Sequence, residues 1–277
     1  MVKIVRKYES PSSINTFRNC PRKYYYHYIL GLDTKPTIHT IRGNIVHSVL
    51  EDFFNIELED IENFNAKFEE ILFNLFNYYW MEKLESLKGL GLENGEVKTF
   101  YNESLFMLNN FAANFSKKIM NELKNNLSLR DAFNKIRPKT EVYYVSDTYK
   151  IQGYIDAIHD FSGDVVLMDY KTSKSGSITP EYMLQLGLYA LMYQEKHNIL
   201  PKKVGIYFLA SGEEIIIDVD RNLLLKAKMA CEEIKICTLS NRITDYPRNI
   251  TKLCDWGRGR CDFFNNCFGQ KGLEEFK

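Results

Sequence analysis

Apolar residues before position 136 and after position 179 recur mostly at helical spacing, whereas those between 140 and 172 fall into short β-type runs. Ser10, Pro11, Ser12 and Ser13 offer capping groups ahead of Ile14 and Phe17, predicting a helix that leads into the aromatic run Tyr24 to Tyr28. A second helix is predicted from about Ile41 to Glu57. Residues 64–86 and 99–125 also carry helical spacing, with Gly89, Gly91 and Gly95 expected to break them apart. Three strands follow at about 140–146, 149–159 and 164–172. Thr179, Pro180 and Glu181 then start a helix to about His197. Strands at 203–210 and 213–219 flank Ser211 and Gly212 as a hairpin, and a helix from Arg221 to about Leu239 precedes an irregular tail. Helices, a mixed sheet and a closing helix make an α/β core, and a helical block stands between the first helices and the sheet.

Two of the predicted strands hold charges that such strands normally exclude. Val165, Val166, Leu167 and Met168 are continuously apolar, the pattern of a strand covered on both faces, yet Asp169 and Lys171 end it. Two residues apart, these side chains share a face while Tyr170 points to the other. Asp156 sits similarly in the preceding strand, after Gly153. Buried carboxylates and ammonium groups are costly unless paired or bound, and a divalent cation beneath a phosphate is one suitable partner. As a lone Asp-x-Lys, the pair would be read as solvated strand-end charge. His47 and Glu51 share a helix face, as do Gln185 and Tyr189. Taken singly, each of these pairs is read as structural.

Composition changes this picture little. The chain has 277 residues, 45% hydrophobic and 26% charged, and suits one large domain or a domain with an insertion. A formal net charge of zero excludes a uniformly basic surface but not a local groove. Residues 1–35 hold such an excess, with Lys3, Arg6, Lys7, Arg18, Arg22, Lys23 and Lys35 against Glu9 and Asp33. No apolar span reaches signal-peptide or transmembrane length, so a cytoplasmic protein without membrane association is expected. In that compartment the six cysteines are candidates for burial or metal ligation. Cys231 and Cys237 fall in a predicted helix and are expected in the core. Cys254, Cys261 and Cys267 lie within fourteen residues of an irregular segment, and Cys20 is the remaining cysteine outside a core helix. Together they signal a metal or cluster that would clip the chain ends together.

In this order the motifs resemble the RecB-type nucleases of the PD-(D/E)XK superfamily. The similarity is to the branch with an iron–sulfur cluster, which includes the CRISPR-associated RecB-like exonucleases and the AddB nuclease domain. Ser12 through Cys20 to Tyr24 resembles that branch's N-terminal cluster-ligand helix, and Gly43 to Glu51 its histidine motif. Gly153 to Asp156 and Asp169 to Thr172 resemble the catalytic hairpin, and Gln185 to Tyr189 the helix after it. One departure stands out: six residues separate Cys254 from Cys261 where the branch usually has two, and Arg258 occupies the expected slot.

The resemblance implies a restriction-endonuclease-like fold, a mixed central sheet flanked by helices, forming one domain over 1–277. The resemblance does not extend to residues 60–135, which their helical spacing marks as a large helical insertion, and 241–277 would be a cysteine-containing segment packing back on the N-terminal helix. It implies that His47, Asp156, Asp169 and the Tyr170 carbonyl hold Mn²⁺ or Mg²⁺, with Glu51 behind them. Lys171 would act beside the metal while Gln185 and Tyr189 position the strand. Cys20, Cys254, Cys261 and Cys267 would hold a 4Fe–4S cluster, with zinc the alternative. Arg22, Lys23, Tyr189, Arg258 and Arg260 are the expected nucleic-acid contacts. In the helical block, Tyr78, Tyr79 and Trp80 are read as packing residues in preference to stacking surfaces. The implied activity is a metal-dependent DNA nuclease, an exonuclease acting on ends or single strands. No Walker-type loop is present, so a helicase or CRISPR integration proteins would be separate partners. A site- or structure-specific endonuclease is the alternative within the class. A catalytically vestigial iron–sulfur module for DNA binding or assembly is the alternative outside it.

Overall fold

In the computed structural model, which describes residues 6–58, 63–174, 176–255 and 259–269, five strands form one mixed sheet. They are β1 (Lys139–Ser146), β2 (Ile151–Phe161), β3 (Asp164–Lys171), β4 (Lys203–Phe208) and β5 (Glu213–Asp218), side by side in that order. All neighbours are antiparallel except β3 and β4, whose parallel pairing requires the crossover helix between them. The helices are α1 (Pro11–Asn19), α2 (Pro21–Tyr24), α3 (Ile38–Phe54), α4 (Phe64–Glu82), α5 (Leu84–Lys88), α6 (Asn94–Leu123) and α7 (Leu129–Ile136), followed by α8 (Pro180–His197), α9 (Arg221–Cys237) and α10 (Phe264–Phe268). A π-helical turn, Tyr25–Ile29, extends α2.

The sheet separates two cores. Helices α3 to α7 cover one side and pack on Val166, Met168 and Tyr170 of β3; α1, α8 and α9 cover the other and pack on Val165 and Leu167. This two-sided burial explains the continuous apolar run of β3. It also turns Asp169 and Lys171, which alternate with Tyr170, toward α8.

Several boundaries differ from expectation for local reasons. Helix α3 starts at Ile38, not Ile41, because Thr37 and Thr40 form a reciprocal capping box. Gly95 does not break the block: it lies in the first turn of α6, where Glu96 accepts from the Glu93 backbone N–H at 3.2 Å. Helix α7 lies beyond the 99–125 helical span, at the end of the expected 60–135 helical block; Ser128 caps it, and it buries Leu129, Ala132, Phe133 and Ile136. Cys231 is buried as expected, but Cys237 is exposed. Six residues on a helix rotate a side chain by about 240°, which takes Cys237 off the buried stripe. Trp80 is buried against Phe76 and Tyr101, while Tyr78 is exposed. Among the described residues no helix is long and apolar enough to cross a membrane.

Candidate active site

The β2–β3 ladder pairs Phe161 with Asp164 through to Ala157 with Met168, and stops there. Strand β3 stays paired with β4 as far as Lys171. The strands therefore part where Asp156 and Asp169 stand, and the freed Tyr170 N–H donates to Asp156 Oδ2 at 2.8 Å. Both carboxylates are buried, Asp169 to 1% exposure.

Helix α8 faces Asp169 with Gln185 and Tyr189, one turn apart. Gln185 Nε2 donates to Asp169 Oδ1 at 2.8 Å, and the Tyr189 hydroxyl donates to the same oxygen at 3.2 Å. Lys171 Nζ lies 2.6 Å from Asp169 Oδ2 and donates to Gln185 Oε1 at 3.1 Å. Asp169 Oδ2 is held by this charged contact with Lys171. Burial alone would lower the Lys171 pKa, but the neighbouring Asp169 carboxylate raises it above the ordinary lysine value. Burial, then the Asp169 and Asp156 charges, holds the Tyr189 phenol far above its usual value, so it stays a donor.

Helix α3 contributes His47 from the other side of the sheet. Arg42 anchors this helix: Nη1 donates to Glu103 at 2.9 Å, and Nη2 donates to the Thr172 carbonyl, just past Lys171, at 3.0 Å. His47 Nε2 donates to the Tyr170 carbonyl at 2.9 Å, while Nδ1 lies 3.5 Å from both Asp156 Oδ2 and Glu141 Oε1. Burial works against a charged His47, but the Glu141 hydrogen bond and the Asp156 and Asp169 charges outweigh it and raise the pKa. Asp156 is raised as well, first by burial and then by Asp169, against the opposing His47 charge.

Glu141 was not among the residues expected from the sequence. It adopts φ +46°, in the left-handed region that non-glycine residues seldom occupy. Thr140 pairs with Ala157 and Val142 with Ile155, so Glu141 lies across from Asp156. A carboxylate in the predicted strand 140–146, counted back through the hairpin, was the available signal. Among the described residues, His47, Glu141 and Asp156 are the one set of three whose ligand atoms lie within 4.8 Å of one another. Glu51 lines the same groove, of about 430 Å³, with Thr40, Asn44 and Ser48. One imidazole among several carboxylate oxygens suits Mn²⁺ or Mg²⁺.

The four candidate cysteines meet elsewhere. Cys20, between α1 and α2, lines one small cavity with Cys254, Cys261 and Cys267. The six-residue gap closes on itself: Cys261 N–H donates to the Cys254 carbonyl at 3.0 Å, and Asp255 pairs with Arg260 in an antiparallel bridge. No three of these sulfurs lie within 4.8 Å of one another, as the ligand atoms around His47 do. Burial, then the Cys20 and Cys261 charges, pushes the Cys267 thiol up to about 11. The basic candidates gather here, away from the acidic groove. Arg22 Nε donates to the Tyr246 carbonyl at 2.7 Å, Lys23 lines the cysteine cavity, and Arg260 Nε donates to Asp255 at 2.8 Å. Arg258 lies outside the described residues.

Comparison with known proteins bears on the family and the fold. The family model for the PD-(D/E)XK nuclease superfamily matches residues 9–267. The crystal structure of a "putative exonuclease" from Eubacterium rectale superposes with a TM-score of 0.52 at 13% identity, covering 91% of this chain and 88% of that one. At that identity the likeness is one of fold. The Gene 69 protein of Mycobacterium phage L5 is 35% identical over 69 residues, 25% of this chain and 22% of the phage protein's length.

Proposed function

Because this chain belongs to the PD-(D/E)XK nuclease superfamily, we propose that it is a divalent-metal-dependent deoxyribonuclease that removes nucleotides from DNA ends or single strands. The observation that carries this reading is the division of Asp169. Its Oδ1 takes two neutral donors from α8, while its buried Oδ2 is left to a cation, Lys171, and its charge is felt by both Asp156 and His47. His47, Glu141, Asp156, Asp169 and the Tyr170 carbonyl are the groups that would hold Mn²⁺ or Mg²⁺. The metal would supply positive charge to a phosphate oxygen and acidify a nearby water. Lys171, kept protonated by Asp169, orients the attacking water and offsets charge growing on the phosphate. Gln185 holds Lys171 and Asp169 in register, and Tyr189 fixes the second donor on Oδ1.

We propose that Cys20, Cys254, Cys261 and Cys267, which line one cavity, hold a 4Fe–4S cluster, with zinc the alternative. Zn–S bonds of about 2.3 Å would draw four sulfurs into a tight tetrahedron, whereas a cluster spreads its thiolates more widely. Such a cluster would tie α2 to the C-terminal segment and contribute to folding, not to hydrolysis.

The test uses purified protein with Mn²⁺ or Mg²⁺ on end-labelled linear, single-stranded and closed-circular DNA. Release of terminal nucleotides from open substrates only is expected, with Asp169→Asn and Lys171→Ala each slower by more than about a hundredfold. Cutting of circles would favour the endonuclease reading. DNA binding without cleavage under either metal would favour a vestigial module.

A further inference from the structure

Tyr143 of β1 and Tyr154 of β2 are cross-strand partners with ring centroids 5.0 Å apart. They remain 44% and 56% exposed. Their neighbours in sequence, Tyr144 and Ile155, are buried in the core beneath α1 and α8, and a Cβ at Gly153 would touch Pro11 and Met192. Strand alternation therefore turns both tyrosines to the opposite side of the sheet, the side on which α3 presents His47. Tyr143 is two residues from Glu141, and Tyr154 two residues from Asp156. Two residues of strand span roughly 6.7 Å, comparable to the reach of a single extended nucleotide. The Tyr143 hydroxyl donates to Gln152 Oε1 at 2.9 Å, which holds that ring in place while its face stays open.

We propose that Tyr143 and Tyr154 form a stacking platform for the unpaired nucleobase adjoining the bond to be cut, which assigns the groove to single-stranded nucleic acid or frayed ends. This rests on the nuclease reading above and adds the part of the substrate held next to the groove, two residues along each strand from its Glu141 and Asp156. A base inside a duplex is already stacked on its neighbours, so only an unpaired base has a free face to offer. A cross-strand aromatic pair also stabilises a sheet, but that role would show no dependence on the presence of a base.

The experiment measures binding of a labelled single-stranded oligonucleotide to the full chain, with intact bases or with one abasic position moved along the strand. Stacking of this kind predicts that Tyr143→Ala and Tyr154→Ala weaken binding by roughly ten- to a hundredfold, while Tyr154→Phe binds as the wild type does. An abasic site at one position should cost the wild type a similar factor and cost Tyr154→Ala nothing further. Tyr154→Leu, which keeps apolar bulk but lacks an aromatic face, should behave like the alanine variant and guards against loss of folding. An abasic penalty unchanged in the variants, or no binding of single strands by the wild type, would overturn the platform. Wild-type protein that binds but cuts no DNA with either metal would instead overturn the nuclease reading and leave the base-dependence to decide this one.

Discussion

Glu141 and Asp156 face each other across the β1–β2 ladder, and each places a carboxylate oxygen 3.5 Å from His47 Nδ1. The φ of +46° at Glu141 is what accompanies this convergence. Backbone strain of that kind persists where surrounding structure holds it, and it clusters at functional sites. Glu141→Gln keeps the size of the side chain and removes its charge. We expect the Mn²⁺ concentration for half-maximal binding to rise about tenfold or more, with the melting temperature little changed. Titration calorimetry gives the affinity directly, and an unchanged value would remove Glu141 from the metal site.

Gln185 uses both ends of its amide, one on Lys171 and the other on Asp169. Gln185→Ala leaves both charges and their ion pair in place but removes the second contact that orients Lys171 Nζ. Cleavage at saturating substrate and metal should fall roughly ten- to a hundredfold, while metal affinity stays near the wild-type value. Tyr189→Phe removes one donor from Asp169 Oδ1, which keeps the Gln185 donor, so a smaller loss is expected. If Gln185→Ala weakened metal binding as strongly as catalysis, Gln185 would be acting on Asp169 alone.

The placement of the hairpin charges was legible because it is local. The apolar run of β3, the two-residue spacing of Asp169 and Lys171, and the one-turn spacing of Gln185 and Tyr189 are fixed by strand and helix periods. The mixed sheet flanked by helices followed from the same periods. Glu141 was not legible in this way. A carboxylate on a half-exposed strand is ordinary, and its role depends on an unusual φ and on pairing with a residue fifteen positions away. Likewise the wide spacing of Cys254 and Cys261 looked anomalous until the Asp255–Arg260 bridge closed the loop. Cys237 misled because composition alone does not show which helix face a residue occupies.

The cysteines separate into groups with opposite expectations. Cys20, Cys261 and Cys267 line one cavity with Cys254, so serine at any of these positions should remove the visible absorption of an iron–sulfur preparation and lower the melting temperature. Cys237→Ser, on an exposed position at the end of α9, should change neither. Cys231 is buried with its thiol pushed up to about 12 by burial. Its replacement by serine should cost stability without touching the spectrum. Metal analysis beside calorimetry checks all three. A colourless preparation containing one zinc per chain would refute the cluster.

His159 provides a pH signature independent of the active site. It lines an apolar cavity of about 320 Å³ between the sheet and α6, with its Nδ1 unpartnered among the described residues and its ring stacked on Phe161. Burial, then the Lys118 charge, pushes its pKa down to about 4. The unfolded chain takes up that proton near the ordinary histidine value of about 6.5, whereas the folded chain does so only near 4. Stability from this group is therefore complete above about pH 6.5 and is lost as pH falls toward 4, roughly 2 kcal/mol of it by pH 5. His159→Phe removes the titration and suits the aromatic wall formed by Phe54, Phe111 and Phe115. Urea unfolding at pH 7.5 and pH 5.0 should show a smaller acid-induced loss in the variant than in the wild type. Equal losses would mean that His159 accepts its proton in the folded protein as readily as in the unfolded chain.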